Sequence, residues 1–149
     1  MHVLIATDGS DDAVAAASQA VSLLAAADAI TVVCVVEAPG VATAGQESGF
    51  AGGLAEPAEI DAAWDAVRQT AADAIERTAA GLPTTAPVES VVETGGAGPV
   101  ICRLAEERSA DVVVVGSRGH GAIRRALLGS VSTYVANNAP CPVVIVRAP

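Results

Sequence analysis

Runs of apolar residues occupy 2–7, 30–36, 111–115 and 143–147, and a more mixed run, Pro-Val-Glu-Ser-Val-Val-Glu, covers 87–93. The unbroken runs lack the alternation of a half-wet strand, so they predict strands covered on both faces, as in a parallel sheet. The mixed run predicts an exposed, edge-like strand. Between the runs, apolar positions recur every three or four residues. The alanine-rich stretch 11–27 predicts a helix, opened by Ser10 as N-cap with Asp11 and Asp12 in its first turn. Over 59–80, Ile60, Ala63, Trp64, Val67, Ala71, Ala74, Ile75 and Thr78 make one apolar stripe, with Trp64 read as a core or helix-packing residue. Gly81-Leu-Pro83 ends that helix. A third helix is predicted over 99–109 with Pro99 at its first position. A fourth, over 130–138, stops at Asn137-Asn138-Ala-Pro140.

Strands and helices therefore alternate, β-α-β-α-β-α-β-α-β. Such a chain predicts a three-layer α/β fold, a five-stranded parallel sheet with right-handed crossovers. In a doubly wound sheet of order 3-2-1-4-5, the first and fourth strands are neighbours. The crevice beyond their carboxyl ends is where such sheets take ligands. That placement sets Asp8, after the first strand, beside Gly116, after the fourth. Asp8 there is either a hydrogen-bond acceptor for a ribose or adenine group or a turn residue bracing the first helix. The length of 149 residues fits one domain, 1–149. Residues 38–57 are glycine-rich and aperiodic, which predicts a flexible loop, either a flap near the site or disorder.

Composition narrows the chemistry. The net charge of −9, with a sequence pI near 4.4, argues against non-specific binding to nucleic acid or anionic membranes. One Trp, one Tyr and one Phe leave no base-stacking platform. All eight cations are arginine, so a Walker-type phosphate loop and Schiff-base chemistry are excluded for want of lysine. Cys34, Cys102 and Cys141 are widely spaced, form no metal-binding cluster, and predict free thiols in a reducing compartment. The start of the chain lacks a basic region before its apolar run, and 13–36 is too interrupted to span a membrane. The expected location is the cytoplasm.

The most pointed feature is Gly116-Ser-Arg-Gly119, nine residues, then Gly129-Ser130-Val-Ser132. A strand entering a glycine-rich turn, with small hydroxylated residues opening a helix, gathers main-chain amides around phosphate. Three of the eight arginines, Arg118, Arg124 and Arg125, lie in this stretch. The competing reading is a tight turn that needs glycine for shape only.

These residues closely resemble the universal stress protein family. Its hallmark, Gly-x2-Gly-x9-Gly-[Ser/Thr], is met by Gly116, Gly119, Gly129 and Ser130. Thr7-Asp8-Gly9-Ser10 resembles the family's first turn, and Ala139-Pro-Cys-Pro-Val143 its entry to the last strand. The resemblance runs the length of the chain. It implies a Rossmann-like, adenine nucleotide alpha hydrolase-like fold and the ATP-binding branch of the family. By analogy, Ala6, Thr7 and Asp8 would line the adenosine pocket, and backbone groups of Val35 would meet the adenine. Val115 and Gly116 would sit against base and ribose, and Arg118 and Gly119 would reach the phosphates. Gly129, Ser130, Val131 and Ser132 would hold the phosphate tail, with Mg held through the phosphates. Ser132 stands where the family often has threonine. Arg124 and Arg125 fall outside the hallmark and read as solvated surface. The resemblance also implies a homodimer, paired through the apolar edge strand 143–147.

Four functions compete on this basis: a regulatory ATP-binding module of the stress response, a slow ATPase, a cyclic AMP binder, and a dimeric scaffold without ligand. Nothing near the loop except His120 resembles a general base, and a lone loop histidine is ordinarily a surface residue. The usual electrostatic stabilisers of phosphoryl transfer are missing from the sequence, which weighs against an enzyme and leaves no catalytic residue to name.

Overall fold

The computed structural model describes residues 1–24, 27–39, 56–117 and 128–147. The chain runs β1 (His2–Ala6), α1 (Asp11–Leu23), β2 (Ala29–Val36), α2 (Pro57–Ala80), β3 (Val88–Thr94), α3 (Ala97–Glu107), β4 (Val112–Gly116), α4 (Ser130–Asn138) and β5 (Val143–Val146). The strands form one five-stranded sheet of order β3-β2-β1-β4-β5, parallel at every pairing. The nine expected elements and their order are all present.

Strand periodicity divides the core in two. Val3, Ile5, Ile30, Val32, Cys34, Val112 and Val114 point to the face covered by α1 and α2. Leu4, Val33, Val113 and Val115 point to the opposite face, packed with Val100, Ile101 and Leu104 of α3 and Val135 of α4. Both faces of the central strands are dry, which is why their sequences are unbroken in valine and isoleucine.

Three expectations about the helices need correction. α1 stops at Leu23 rather than 27, with the Leu24 amide donating to the Ala20 carbonyl. α3 begins at Ala97, so Pro99 is its third residue. The first intrahelical bond runs from the Val100 amide to the Gly96 carbonyl, so Pro99 sits among amides that have no helical partner anyway and its missing N–H costs nothing. Trp64 belongs to neither core cluster; it is half-buried, and the Arg68 guanidinium lies 5.6 Å from its ring centroid. The reason is length. At 24 residues, α2 is about 36 Å long, whereas the eight-residue β2 beneath it spans about 26 Å. The fully buried residues of α2 begin only at Ala71, so the turns carrying Trp64 overhang the sheet. α2 runs antiparallel to the strands, and its overhang lies on the side of their carboxyl ends.

Candidate functional site

The β1–α1 turn is held by α2. The Thr78 hydroxyl donates to the Ala74 carbonyl at 2.8 Å, so its contact with the Thr7 hydroxyl at 2.8 Å must use the proton of Thr7. Thr7 Oγ1 in turn accepts from the Gly9 amide at 3.0 Å. Gly9 has φ +74°, and a Cβ there would lie 2.5 Å from Cβ of Ala74. Glycine is required twice over, by backbone conformation and by the closeness of α2. Arg77 completes the seam, donating to the Gly9 carbonyl at 2.9 Å and pairing with Asp11.

Within that turn, Asp8 is half-buried and braces the helix start. Its Oδ1 accepts from the Ser10 amide at 3.0 Å and from the Ser10 hydroxyl at 2.6 Å, while Ser10 Oγ accepts from the Ala13 amide at 3.2 Å. Ser10 is thus the N-cap, as expected, and Asp8 orients the cap. The Asp8 charge also reaches across to β2: the Cys34 thiol is pushed up from its ordinary pKa, first by burial and second by this carboxylate.

The next strand end is β2. The Thr7 amide donates to the Val33 carbonyl at 2.9 Å, so the polar groups of Val33 face β1. Two residues on, those of Val35 face the same way, but β1 has already turned off at Asp8. The N–H and C=O of Val35 therefore project past the end of β1, beside Asp8.

The fourth strand end meets the second glycine cluster through one carbonyl. Ser117 is buried; its amide donates to the Val146 carbonyl at 2.7 Å. Its carbonyl accepts from the Gly129 amide at 2.8 Å and from the Ser132 hydroxyl at 3.2 Å. Ser132 Oγ is also 3.0 Å from the Gly129 carbonyl. These bonds dock the start of α4 onto the end of β4. The first free turn of α4 then offers the amides of Ser130, Val131 and Ser132, whose partners lie outside the helix. With the positive end of the helix dipole, they form an anion-attracting surface.

Of the expected site residues, Ala6, Thr7, Asp8, Val35, Gly116, Gly129, Ser130, Val131 and Ser132 lie around the carboxyl ends of β1, β2 and β4. Arg118 and Gly119 lie outside the described residues, as do His120, Arg124 and Arg125. Four assignments change in kind. The Thr7 hydroxyl is spent on Thr78. Val115 points its side chain into the α3/α4 core and is 3% exposed. The Gly129 amide and the Ser132 hydroxyl are committed to the docking bonds, so what α4 can still offer a ligand is its main-chain amides and the Ser130 side chain.

The overhanging wall of α2 was not expected. Ala66, Thr70, Ala71 and Ala74 stand across from Asp8, Cys34, Val36 and Glu37, enclosing a cleft of about 360 Å³. That is within the range of small-molecule sites. The signal for it was the four-residue spacing of small residues, Ala66, Thr70, Ala74 and Thr78, which permits close approach to the first turn. Among the described residues there is no cluster of three His, Cys, Asp or Glu able to hold a metal, and no helix is long and apolar enough to cross a membrane.

Comparison with known proteins adds four findings. The profile of the universal stress protein family matches residues 1–147. A universal stress protein of Synechocystis, Slr1101, is 34% identical over 89 residues, a match spanning 58% of this chain and 81% of that protein. Among solved structures, universal stress protein UspA from Lactobacillus plantarum superposes with a TM-score of 0.76 at 25% identity, covering 99% of this chain and 97% of that one. A universal stress protein solved in complex with cAMP gives a TM-score of 0.59 at 27% identity, over 98% and 95% of the two chains. With the sheet order, the docked glycine cluster and a family match over nearly every residue, the chain belongs to the universal stress protein family.

Proposed function

We propose that this protein is an ATP-binding regulatory module of the stress response, taking the nucleotide at the carboxyl ends of β1, β2 and β4. The observation that carries the reading is the docking of α4 on the Ser117 carbonyl. It sets the free first turn of α4, with the amides of Ser130, Val131 and Ser132, at the carboxyl end of β4, the strand next to β1. A lysine-free chain can hold a phosphate tail in this way, through main-chain nitrogens and arginine. Asp8 would accept from the adenosine, the Val35 backbone would read the adenine edge, and Mg would be held through the phosphates. Arg118 and Gly119 complete the phosphate-side assignment.

The test is thermal unfolding with ATP and Mg²⁺. A ligand that binds only the folded state stabilises it by about 2.7 kcal/mol at one hundred times its Kd. For a domain of this size that is a rise of roughly 5–10 °C in Tm. An unmoved Tm at millimolar ATP would overturn the proposal. Cyclic AMP is the second reading, favoured by the related protein solved with cAMP. A larger shift with cAMP than with ATP would select it.

The same reading includes a homodimer joined through β5. β5 is a sheet edge, and its alternation is set by the Ser117 amide bonding to Val146 and the Val113 amide bonding to Pro142. The N–H and C=O of Val143 and Ile145 therefore face outward, available to a second copy. Ile145→Pro removes an outward donor without touching the β4 ladder. It should shift the protein from dimer to monomer in sedimentation, and a wild-type protein that sediments as a monomer refutes the pairing. The free thiols suit a cytoplasmic protein.

A further inference from the structure

At the other end of the sheet from the nucleotide crevice, two thiols come together from separate elements. Cys102 lies in α3, on the side that faces α4. One turn earlier, Gly98 is so close to α4 that an added Cβ would stand 2.6 Å from Cδ1 of Tyr134. The two helices run side by side, so the level of Cys102 is that of Asn138 and Ala139, where α4 ends and the chain turns into β5. Cys141 lies in that turn. Val143 and Ile145 point into the α3/α4 layer, and strand alternation gives Cys141 the same face. Both cysteines are half-buried and pack on the same apolar cluster. The Cys102 thiol is pushed up, first by burial and then by the charge of Cys141. Cys141 is also pushed up, by burial and by Asp111, against a smaller opposing contribution from the Val113 amide.

We propose that Cys102 and Cys141 form a dithiol redox site that a hydroperoxide closes to an intramolecular disulfide, tying α3 to the entry of β5. One thiolate attacks a peroxide oxygen. The O–O bond breaks, water leaves, and the sulfur becomes a sulfenic acid. The second thiolate attacks that sulfur, the S–O bond breaks, and hydroxide leaves as water with a proton. Two thiols lose two electrons and two protons, and hydrogen peroxide becomes two waters. A dithiol reductant reverses the bond by exchange. Because the thiolate is the nucleophile and both thiols hold their protons, closure is slow at neutral pH and rises about tenfold per pH unit below the thiol pKa.

The full chain is treated with hydrogen peroxide between pH 7 and 8, unfolded, alkylated and digested for mass spectrometry. Of the three cysteines, only Cys34, on the opposite face of the sheet, should remain alkylatable, and one peptide pair should be joined through Cys102 and Cys141 with the loss of two hydrogens. Dithiothreitol should restore all three thiols. C102S and C141S should each abolish the joined peptide. Sulfinic acids on separate peptides, disulfides only between chains, or a closure rate indifferent to pH would each overturn the proposal.

Discussion

Gly9→Ala is the sharpest perturbation of the seam between the first turn and α2. At φ +74° an alanine pays about 1–2 kcal/mol for the left-handed conformation. Its Cβ would also meet Cβ of Ala74 at 2.5 Å and Cα of Ala74 at 2.9 Å. Neither atom is the end of a flexible side chain, so the helix itself must move, and overpacking of this kind costs about 1–3 kcal/mol. The sum, about 2–5 kcal/mol, is a large share of the 5–15 kcal/mol typical of a domain. Equilibrium urea unfolding measures it as a fall in midpoint at constant slope. The double variant Gly9→Ala, Ala74→Gly separates the two costs. It should recover the part of the overpacking that comes from Cβ of Ala74, but neither the contact with Cα of residue 74 nor the conformational part, and Ala74→Gly alone should cost about 1 kcal/mol of helix propensity. A Gly9→Ala protein within about 0.5 kcal/mol of wild type, or a double variant with no coupling, would show that α2 does not press on this turn.

Ser132→Ala removes the hydroxyl shared by the Ser117 and Gly129 carbonyls; a loss of about 1 kcal/mol in unfolding free energy is expected, and Ser132→Thr, which keeps the hydroxyl, should recover most of it. Gly98→Ala should destabilise by up to about 2 kcal/mol, overpacking less the gain in helix propensity, and Tyr134→Ala should relieve it in a double-mutant cycle. The Cys34 thiol is held protonated by burial and by Asp8, so its folded pKa lies above its unfolded one. Its contribution to stability is fully present below about pH 8.5 and is lost as pH rises through the folded value. Denaturant midpoints across pH 8 to 10 should therefore fall less in Cys34→Ala than in wild type, and an aromatic disulfide reagent at pH 8 should label Cys34 only on unfolding.

The fold was readable because each strand is a run of valine and isoleucine between unmistakable breakers. The helix ends were less so. Pro99 fits any of the first helical positions, because none of them needs its amide. Trp64 sits in a faultless apolar stripe, but a stripe records which side of a helix is apolar and not how far the sheet beneath it extends. That Asp8 and Gly116 follow neighbouring strands was legible from strand order. The Ser117 carbonyl, the hub that docks α4, could not be, since every residue type carries a carbonyl. The inward turn of Ser132 was hidden for a related reason: a hydroxyl opening a helix serves a ligand or its own backbone with the same sequence.

The Ser117 hub makes the chain's departure and return points converge on one atom. Whatever sequence joins Ser117 to Gly129, its two ends are held together by a main-chain bond, from the Gly129 amide to the Ser117 carbonyl, that no side-chain replacement can remove. Doubling such a connection would cost only about 0.6 kcal/mol in closure entropy. A connection whose ends are fixed in this way can accordingly be exchanged for one of another length or composition while the sheet behind it stays folded.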